Sequence, residues 1–482
     1  MTEATRLRHF IGGRWRDSES ESWIADVNPS NSRDVVAQVP RGTPHDVDAA
    51  VNAASAAFDG WRATTGPARS ELLYAWAATI GARFEELAQL IAREVGKPIG
   101  ESRGEVARCV TILRYFAGEA VRATGELIPA HAPGALQFSM HQPLGVVALI
   151  TPWNFPVAIA LWKAAPALAF GNTVVLKPAE AASQCAMVLA ECAALAGLPA
   201  GVFNVLLGAG DSVGAALIAS PGVHAVSFTG SGAIGARVAA AATARNIRYQ
   251  TEMGGKNVAI VMPDADLRLA ATMAAGGAMR YAGQKCTATS RVIVAREVEN
   301  AFLEQLCAQV AALPLGLVTD AATAIGPVIS AQSRTSIRQV LDTIDAERIY
   351  VGEVPATADF ADGFFTAPTI IRGAASDSVL AQRELFGPVL ASFVADDLDH
   401  AIALANDTPY GLSASLFTRD LRSALRYVDR IDAGMVRVNG DTNGVDPHAP
   451  FGGMKGSSSG TREQGTAARE FYTEIKTVQI NP

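Results

Sequence analysis

Between residues 145 and 260, short apolar runs alternate with longer stretches in which apolar residues return every three or four positions. The runs are "GVVALI", "NTVVLKP", "GVFNVLLG" and "AVSF", each bounded by Gly or Pro. Between them lie "VAIALWKAAPALAFG", "SQCAMVLAECAALAG" and "DSVGAALIAS". A run that is apolar on both faces and leads into a helical stretch reads as a βαβ unit on a parallel sheet covered on both sides. The pattern predicts an α/β fold with a doubly wound parallel sheet of the nucleotide-binding kind. Upstream, "DVDAAVNAASAAFDGW" and "RSELLYAWAATIGARFEELAQLIAREVGKP" keep a helical period, so residues 45–125 are expected to cover that sheet. From 258 a second α/β pattern follows, with strands in "VAIVM", "RVIVA", "FFTAPTII" and "PVLASFV". The stretch "LQFSMH" at 136–141 alternates apolar with polar residues, and "EFYTEIKTVQI" near the C-terminus is strand-like. Those two pieces predict a small antiparallel element of their own.

Composition narrows the class. A chain of 482 residues exceeds one ordinary core, which agrees with two domains and an appendage. Hydrophobic residues make up 49% and charged residues 18%, the balance of a packed globular protein rather than a disordered one. The net charge of −7 comes without a basic tract, so neither nucleic acid nor an anionic membrane surface is expected as a partner. The start "MTEATRLRHFIGGRW" lacks the apolar stretch of a secretory leader, and no apolar run approaches the roughly 18 residues of a membrane span. A cytoplasmic location and no membrane partner are expected. The five cysteines form no C-x-x-C pair, which argues against a disulfide framework and a zinc site, and no metal is expected. Four of them sit in apolar, helix-patterned text, where a free Cys is a small buried hydrophobe. Cys286 differs, with polar neighbours in "YAGQKCTATSR".

Candidate chemistry gathers around that residue. In "FTGSGAIG", Gly230, Gly232 and Gly235 have the spacing of a dinucleotide-binding turn, a match that arises by chance about one time in three in a chain this rich in glycine. Its context adds weight, because a predicted strand precedes it and a predicted helix follows, and a helix N-terminus suits a pyrophosphate. Asn154 in "TPWNFP" occupies a rigid turn after an apolar strand, the sort of loop that presents a side chain to a crevice. Glu252 in "QTEMGGKN" lies near the distance at which the fingerprint's ribose-binding acid is expected, although a lone acid is more often a surface carboxylate. A thiolate attacking an aldehyde needs an accessible Cys, a donor for the oxyanion, a hydride acceptor and a base to activate water.

The motifs "TPWNFP", "LKPAE", "FTGS", "EMGGKN", "GQKC", "ELFGPV" and "PFGGMKGS" run along nearly the whole chain in an order and spacing that resembles the NAD(P)-dependent aldehyde dehydrogenases. The resemblance implies that Cys286 is the nucleophile, that Asn154 and the Cys286 backbone N–H form the oxyanion hole, and that Glu252 is the general base rather than the ribose ligand. It places Lys177 and Glu180 on the adenosine ribose, Ser231 at the pyrophosphate and Glu384 on the nicotinamide ribose, and counts Trp153, Gly230 and Phe386 among the cofactor-binding residues. It further implies that Gly232 and Gly235 serve helix packing more than phosphate. Glu180 favours NAD over NADP, since a carboxylate accepts from both ribose hydroxyls and repels a 2′-phosphate. The presence of Glu252 favours hydrolysis of the acyl-enzyme over transfer to coenzyme A. The implied division is a NAD-binding domain at 1–124 and 144–253, a catalytic domain at 254–465, and an oligomerisation element at 125–143 and 466–482 that makes a homodimer or homotetramer.

Arg280, six residues before Cys286, is a candidate anchor for a substrate carboxylate, on the argument that two helical turns bring it to the side that leads to the thiol. The text around it and the C-terminal segment are most similar to family members acting on 2,5-dioxovalerate (α-ketoglutaric semialdehyde). Relatives acting on succinate semialdehyde usually carry a second Arg where this chain has Trp162, so Trp162 is the other substrate candidate. The expected reaction is oxidation of a short carboxylate-bearing aldehyde to the acid. Broad aldehyde specificity or succinate semialdehyde is the enzymatic alternative, and a non-catalytic binding or structural protein is the other; intact Cys286, Glu252 and Asn154 count against the latter.

Overall fold

The computed structural model describes residues 5–482, so the first four residues of the leader reading lie outside the described ones. Five parallel strands run in the order Arg248–Glu252, Ala225–Thr229, Val146–Ile150, Thr173–Lys177 and Phe203–Val205. Chain order reverses between Val146–Ile150 and Ala225–Thr229, and in open α/β sheets ligands bind at the carboxyl ends of the strands beside such a switch. The loops holding Trp153 and Asn154 on one side and Gly230 and Ser231 on the other leave from those two strand ends.

The alternation of strand side chains explains why the runs are apolar throughout. Val146, Ala148 and Val175 pack beneath Val47, Ala50, Leu217 and Val238, whereas Val147, Leu149, Val174 and Leu176 point to the opposite face and the larger core. That larger core is made by the helices Gly66–Ala82, Phe84–Val95, Ile99–Glu119, Ala158–Ala169 and Ser183–Leu195. Helix Pro44–Ala63, capped by a reciprocal Thr43–Asp46 pair, takes the first face. The amphipathic text of 45–125 therefore covers the sheet.

A second seven-stranded sheet has the order Glu347–Val351, Thr369–Arg372, Val389–Ala395, Arg291–Ala295, Val258–Val261, Ser413–Phe417 and Met435–Val438, with its first strand antiparallel. Strand Leu136–Pro143 pairs antiparallel with Thr473–Ile480 along its full length, and Leu127–Ile128 joins them. This is the small element expected from the alternating text. Two features went unforeseen: the hairpin His9–Ile11 and Arg14–Arg16, which extends the first sheet beyond Phe203–Val205, and a three-stranded sheet of Thr5–Arg6, Val35–Pro40 and Trp23–Val27. Among the described residues no helix is long and apolar enough to cross a membrane, and no cluster of three or more potential metal ligands occurs.

Candidate active site

Cys286 follows helix Leu267–Met279 through an unusual turn. Tyr281, Ala282 and Gly283 are all left-handed, with φ of 56°, 52° and 67°. Two of the three have a Cβ, so the conformation carries strain of about 1–3 kcal/mol per residue that the surroundings must hold. They do so firmly: Tyr281 is fully buried, its N–H donates to Ala324 O at 2.9 Å, and a Cβ on Gly283 would fall on the Gly387 carbonyl and lie 2.8 Å from Ala278 O. The two-turn argument for Arg280 therefore fails, because the helix ends at Met279 and the path to the thiol is a left-handed turn. Arg280 is exposed at that helix end, in a charged group with Glu101, which pairs with Lys285 at 2.9 Å.

Beyond the turn the cysteine segment is tied down on two sides. Asn154, only 3% exposed, donates through Nδ2 to Gln284 O at 3.0 Å, which sets its amide against the backbone two residues before the thiol. Asn257 Nδ2 donates to Cys286 O at 2.8 Å and to Ala288 O at 2.9 Å. Cys286 is half-buried and packs with Leu412, Met435, Val445 and Phe451. Enclosure of the thiol, with the carboxylates of Glu384 and Glu252 nearby, pushes its pKa up to about 12. The other four free cysteines lie on helices, as their text suggested.

Glu252 ends strand Arg248–Glu252, an edge of the first sheet. Its open side is covered by the segment 457–459: Met253 N donates to Ser457 O, Ser459 N to Thr251 O, and Ser458 Oγ to Glu252 Oε2 at 2.6 Å. The other oxygen, Oε1, is buried without a partner, and a Cβ on Gly452 would sit 2.9 Å from it. Burial, and then the neighbouring Glu463 carboxylate, raise the Glu252 pKa well above the ordinary carboxylate value. Glu463 is itself buried and ion-paired with buried Lys163, whose Nζ also donates to Ser227 Oγ at 2.8 Å. Sequence reasoning missed Ser458, Glu463 and Lys163. A buried Lys in the otherwise apolar helix Ala158–Ala169 was the one available signal.

Of the residues assigned to a dinucleotide, Trp153, Lys177, Glu180, Gly230 and Ser231 lie at or just beyond strand ends of the first sheet, whereas Glu384 and Phe386 lie in the loop before Val389–Ala395 of the second. Lys177 Nζ donates to Pro178 O at 3.0 Å and meets Glu180 Oε1 at 3.4 Å, while Gly210 N donates to the same Glu180 oxygen at 2.8 Å. Ser231 occupies the N-cap of helix Gly232–Ala244 without using its side chain as a cap, so its hydroxyl and the N–H groups of Gly232 and Ala233 are available to an anion, while Ile234 N donates to Ser231 O. Gly235 faces inward, where a Cβ would overlap the Met253 sulfur, whereas around Gly232 there is open space. Packing thus accounts for Gly235 and not for Gly232. Gly230 N donates to Glu252 O at 3.0 Å, and a Cβ there would lie 2.6 Å from the Phe228 ring. Glu384 Oε1 accepts from Gly255 N at 3.2 Å, and burial lifts this carboxyl to about 7. Phe386, left-handed at φ 53°, sets its ring edge-on to Trp153 with centroids 5.6 Å apart. Trp162 packs on Phe451 at 5.3 Å and keeps its buried Nε1 without a partner.

The Cys286 thiol, the Asn154 amide and the buried Glu252 carboxylate thus lie together beside the strand ends of the first sheet. The sequence profile of the aldehyde dehydrogenase family matches residues 15–478, and the chain belongs to that family. It is thus an oxidoreductase acting on aldehydes. It is 45% identical to the alpha-ketoglutaric semialdehyde dehydrogenase of Bacillus subtilis (strain 168), over 100% of this chain and 99% of the relative. It is 38% identical to the 2,5-dioxopentanoate dehydrogenase of Saccharolobus solfataricus, over 97% of this chain and 98% of that one. Among solved structures, the betaine aldehyde dehydrogenase of Staphylococcus aureus in complex with NAD+ superposes with a TM-score of 0.95 at 34% identity, covering 98% of this chain and 94% of the other.

Proposed function

We propose that the protein oxidises a short aldehyde bearing a carboxylate, of the 2,5-dioxovalerate type, to the corresponding acid with NAD. The observation that carries the hydrolytic part is Glu252: a buried carboxylate of raised pKa, one oxygen held by Ser458 and the other free, near the Cys286 thiol. Cys286 loses its thiol proton to solvent and adds its sulfur to the aldehyde carbon, and the oxyanion so formed is held by Asn154 Nδ2–H and the Cys286 N–H. NAD, when bound, supplies the hydride acceptor that turns the Cys286 adduct into a thioester. Glu252 then takes a proton from water as it attacks the thioester; the C–S bond breaks, the proton passes on to the leaving sulfur, and the carboxylic acid is released with the thiol restored.

The chain has the fittings for that cofactor. Glu180 presents its carboxylate at the end of strand Thr173–Lys177, where it suits the two hydroxyls of an adenosine ribose and not a 2′-phosphate. The uncapped Ser231 helix end suits the pyrophosphate, and Trp153, Glu384 and Phe386 surround the place of the nicotinamide half. NADP is the weaker alternative.

Substrate choice follows the relatives named above and the carboxylate-binding potential of the arginines near the crevice. Exposed Arg280 favours a second reading, an aldehyde dehydrogenase of broad range with that guanidinium left to solvent. NADH formation from 2,5-dioxovalerate, succinate semialdehyde, glutarate semialdehyde and pentanal, with NAD and with NADP, separates the two. Preference for the carboxylated aldehydes is expected, and equal or better turnover of pentanal would sink the semialdehyde reading.

We also assign the domain limits as 1–124 with 144–253, 254–465, and 125–143 with 466–482, and give the last unit the role of joining subunits into a dimer or tetramer in the cytoplasm. Its three strands expose Leu127, Leu136, Ile475 and Ile480, an apolar group that a neighbouring copy would cover.

A further inference from the structure

Helix Ile99–Glu119 carries three charged residues along the face nearest the cysteine segment, and each meets a different fate. Glu101 pairs with Lys285, the residue before the thiol. Glu105 is buried, ion-paired with Lys97, and accepts from Val157 N and Ala158 N at 3.0 Å each, which fastens the start of helix Ala158–Ala169. Arg108, about 10 Å along the helix from Glu101 and on the same side, has no carboxylate partner among the described residues. Its one hydrogen bond is from Nη2 to the carbonyl of Val445.

Val445 and Cys286 both pack against the buried cluster of Leu412, Met435 and Phe451, so the residue that Arg108 bonds belongs to the same apolar wall as the thiol. The acids near Arg108 do not neutralise it. Glu105 is committed to Lys97 and to the helix end, and Asp446 is exposed beside His448. Burial lowers the Arg108 pKa and outweighs the opposing pull of Cys109, Asp446 and Glu105, none of which pairs with the guanidinium. On the same wall Trp162, stacked on Phe451, holds a second buried donor without an acceptor.

Arg280 has the opposite circumstances. It is exposed, at the end of a helix, and shares its field with Glu101 and Lys285. A guanidinium in water beside an acid adds little to the binding of a further anion, whereas a half-buried one with four unused N–H groups binds a carboxylate through two parallel bonds.

We infer that Arg108 is the specificity-determining residue that receives the substrate's distal carboxylate, from the side of the crevice formed by Val445, Phe451 and Trp162. This rests on the semialdehyde reading given above and moves the anchor from Arg280 to Arg108. A dicarboxylate of the same length, such as glutarate, occupies the same place as a dead-end inhibitor.

The test compares wild type, Arg108→Met and Arg280→Met with NAD, taking the ratio of kcat/KM on 2,5-dioxovalerate to that on pentanal, together with the inhibition constant of glutarate. Arg108→Met is expected to lower the ratio about 10- to 100-fold, mainly through KM, and to raise the glutarate constant in parallel. Arg280→Met is expected to shift the ratio less than about 3-fold. If the wild type prefers 2,5-dioxovalerate and Arg108→Met keeps that preference, the assignment of Arg108 falls and the semialdehyde reading stands. If the wild type has no such preference, both fall. Should Arg108→Met not fold, Arg108→Lys decides, because it keeps the charge and loses the fork: a raised KM for 2,5-dioxovalerate supports the assignment, and an unchanged ratio overturns it.

Discussion

Replacing Glu252 by Gln removes the base while keeping its shape. The side chain amide still accepts from Ser458 Oγ, now bonded at 2.6 Å, and occupies the same buried space against Gly452, so the change is chemical rather than steric. Only one oxygen, Oε1, is free of a protein partner and able to take a proton from water. Its loss should slow thioester hydrolysis by about 10²- to 10⁴-fold, the usual contribution of a positioned general base, which is about 3–5 kcal/mol on the barrier. Hydride transfer precedes that step. Rapid mixing of Glu252→Gln with NAD and aldehyde should therefore give a burst of NADH close to one per active site, followed by a steady state lower by that factor. Loss of burst and steady state together, or an unchanged steady state, would refute the assignment. The same variant tests the electrostatics. The raised pKa of Glu252 means that the folded chain holds this proton more tightly than the unfolded chain, so wild-type stability falls as pH rises from about 4.5 towards the folded-state value. Gln is free of that penalty, and the gap in melting temperature between the variant and wild type should widen in the variant's favour as pH rises through neutrality.

Three further outcomes are expected. Glu180→Ser takes away the acceptor now bonded to Gly210 N, so the KM for NAD should rise about 10-fold and the ratio of NADP to NAD turnover should increase; an unchanged ratio would remove Glu180 from the ribose. Gly283→Ala puts a Cβ against the carbonyls of Gly387 and Ala278 at a left-handed φ of 67°, which should cost more than about 1–3 kcal/mol in urea unfolding and lower kcat by displacing the thiol. Lys163→Met leaves Glu463 buried beside Glu252 without its cation, and should destabilise the chain by about 3–5 kcal/mol in the same assay; Lys163→Met with Glu463→Gln should recover most of that loss.

What the sequence disclosed depended on whether the signal was local. Strands Val146–Ile150, Thr173–Lys177 and Ala225–Thr229 and helix Gly232–Ala244 could be read because apolar runs bounded by Gly and Pro specify a parallel strand wherever it lies. Cys286 stood out through its polar neighbours and Asn154 through its turn, whereas Glu252 read as a lone acid until the family's motifs gave it the role of base. The left-handed passage through Tyr281 and Ala282 could not be read, since neither is a Gly or Asn and only their buried surroundings impose the conformation. That same turn undid the helical argument for Arg280. The Lys163–Glu463 pair joins residues 300 positions apart, and Arg108 was one arginine among several on an amphipathic helix until the loop at Val445 was laid against it.

The segment 457–459 that closes the edge beside Glu252 follows it by some two hundred residues in the chain. During synthesis the dinucleotide sheet can form once residue 252 has emerged, but its outer strand keeps a row of open backbone groups until some two hundred further residues have followed, a template for faulty pairing between nascent chains. Delivery of segment 457–459 thus ends a window of aggregation risk and, in the same contact, supplies the hydroxyl bonded to Glu252. A chain truncated before Ser457 should be insoluble before it is inactive.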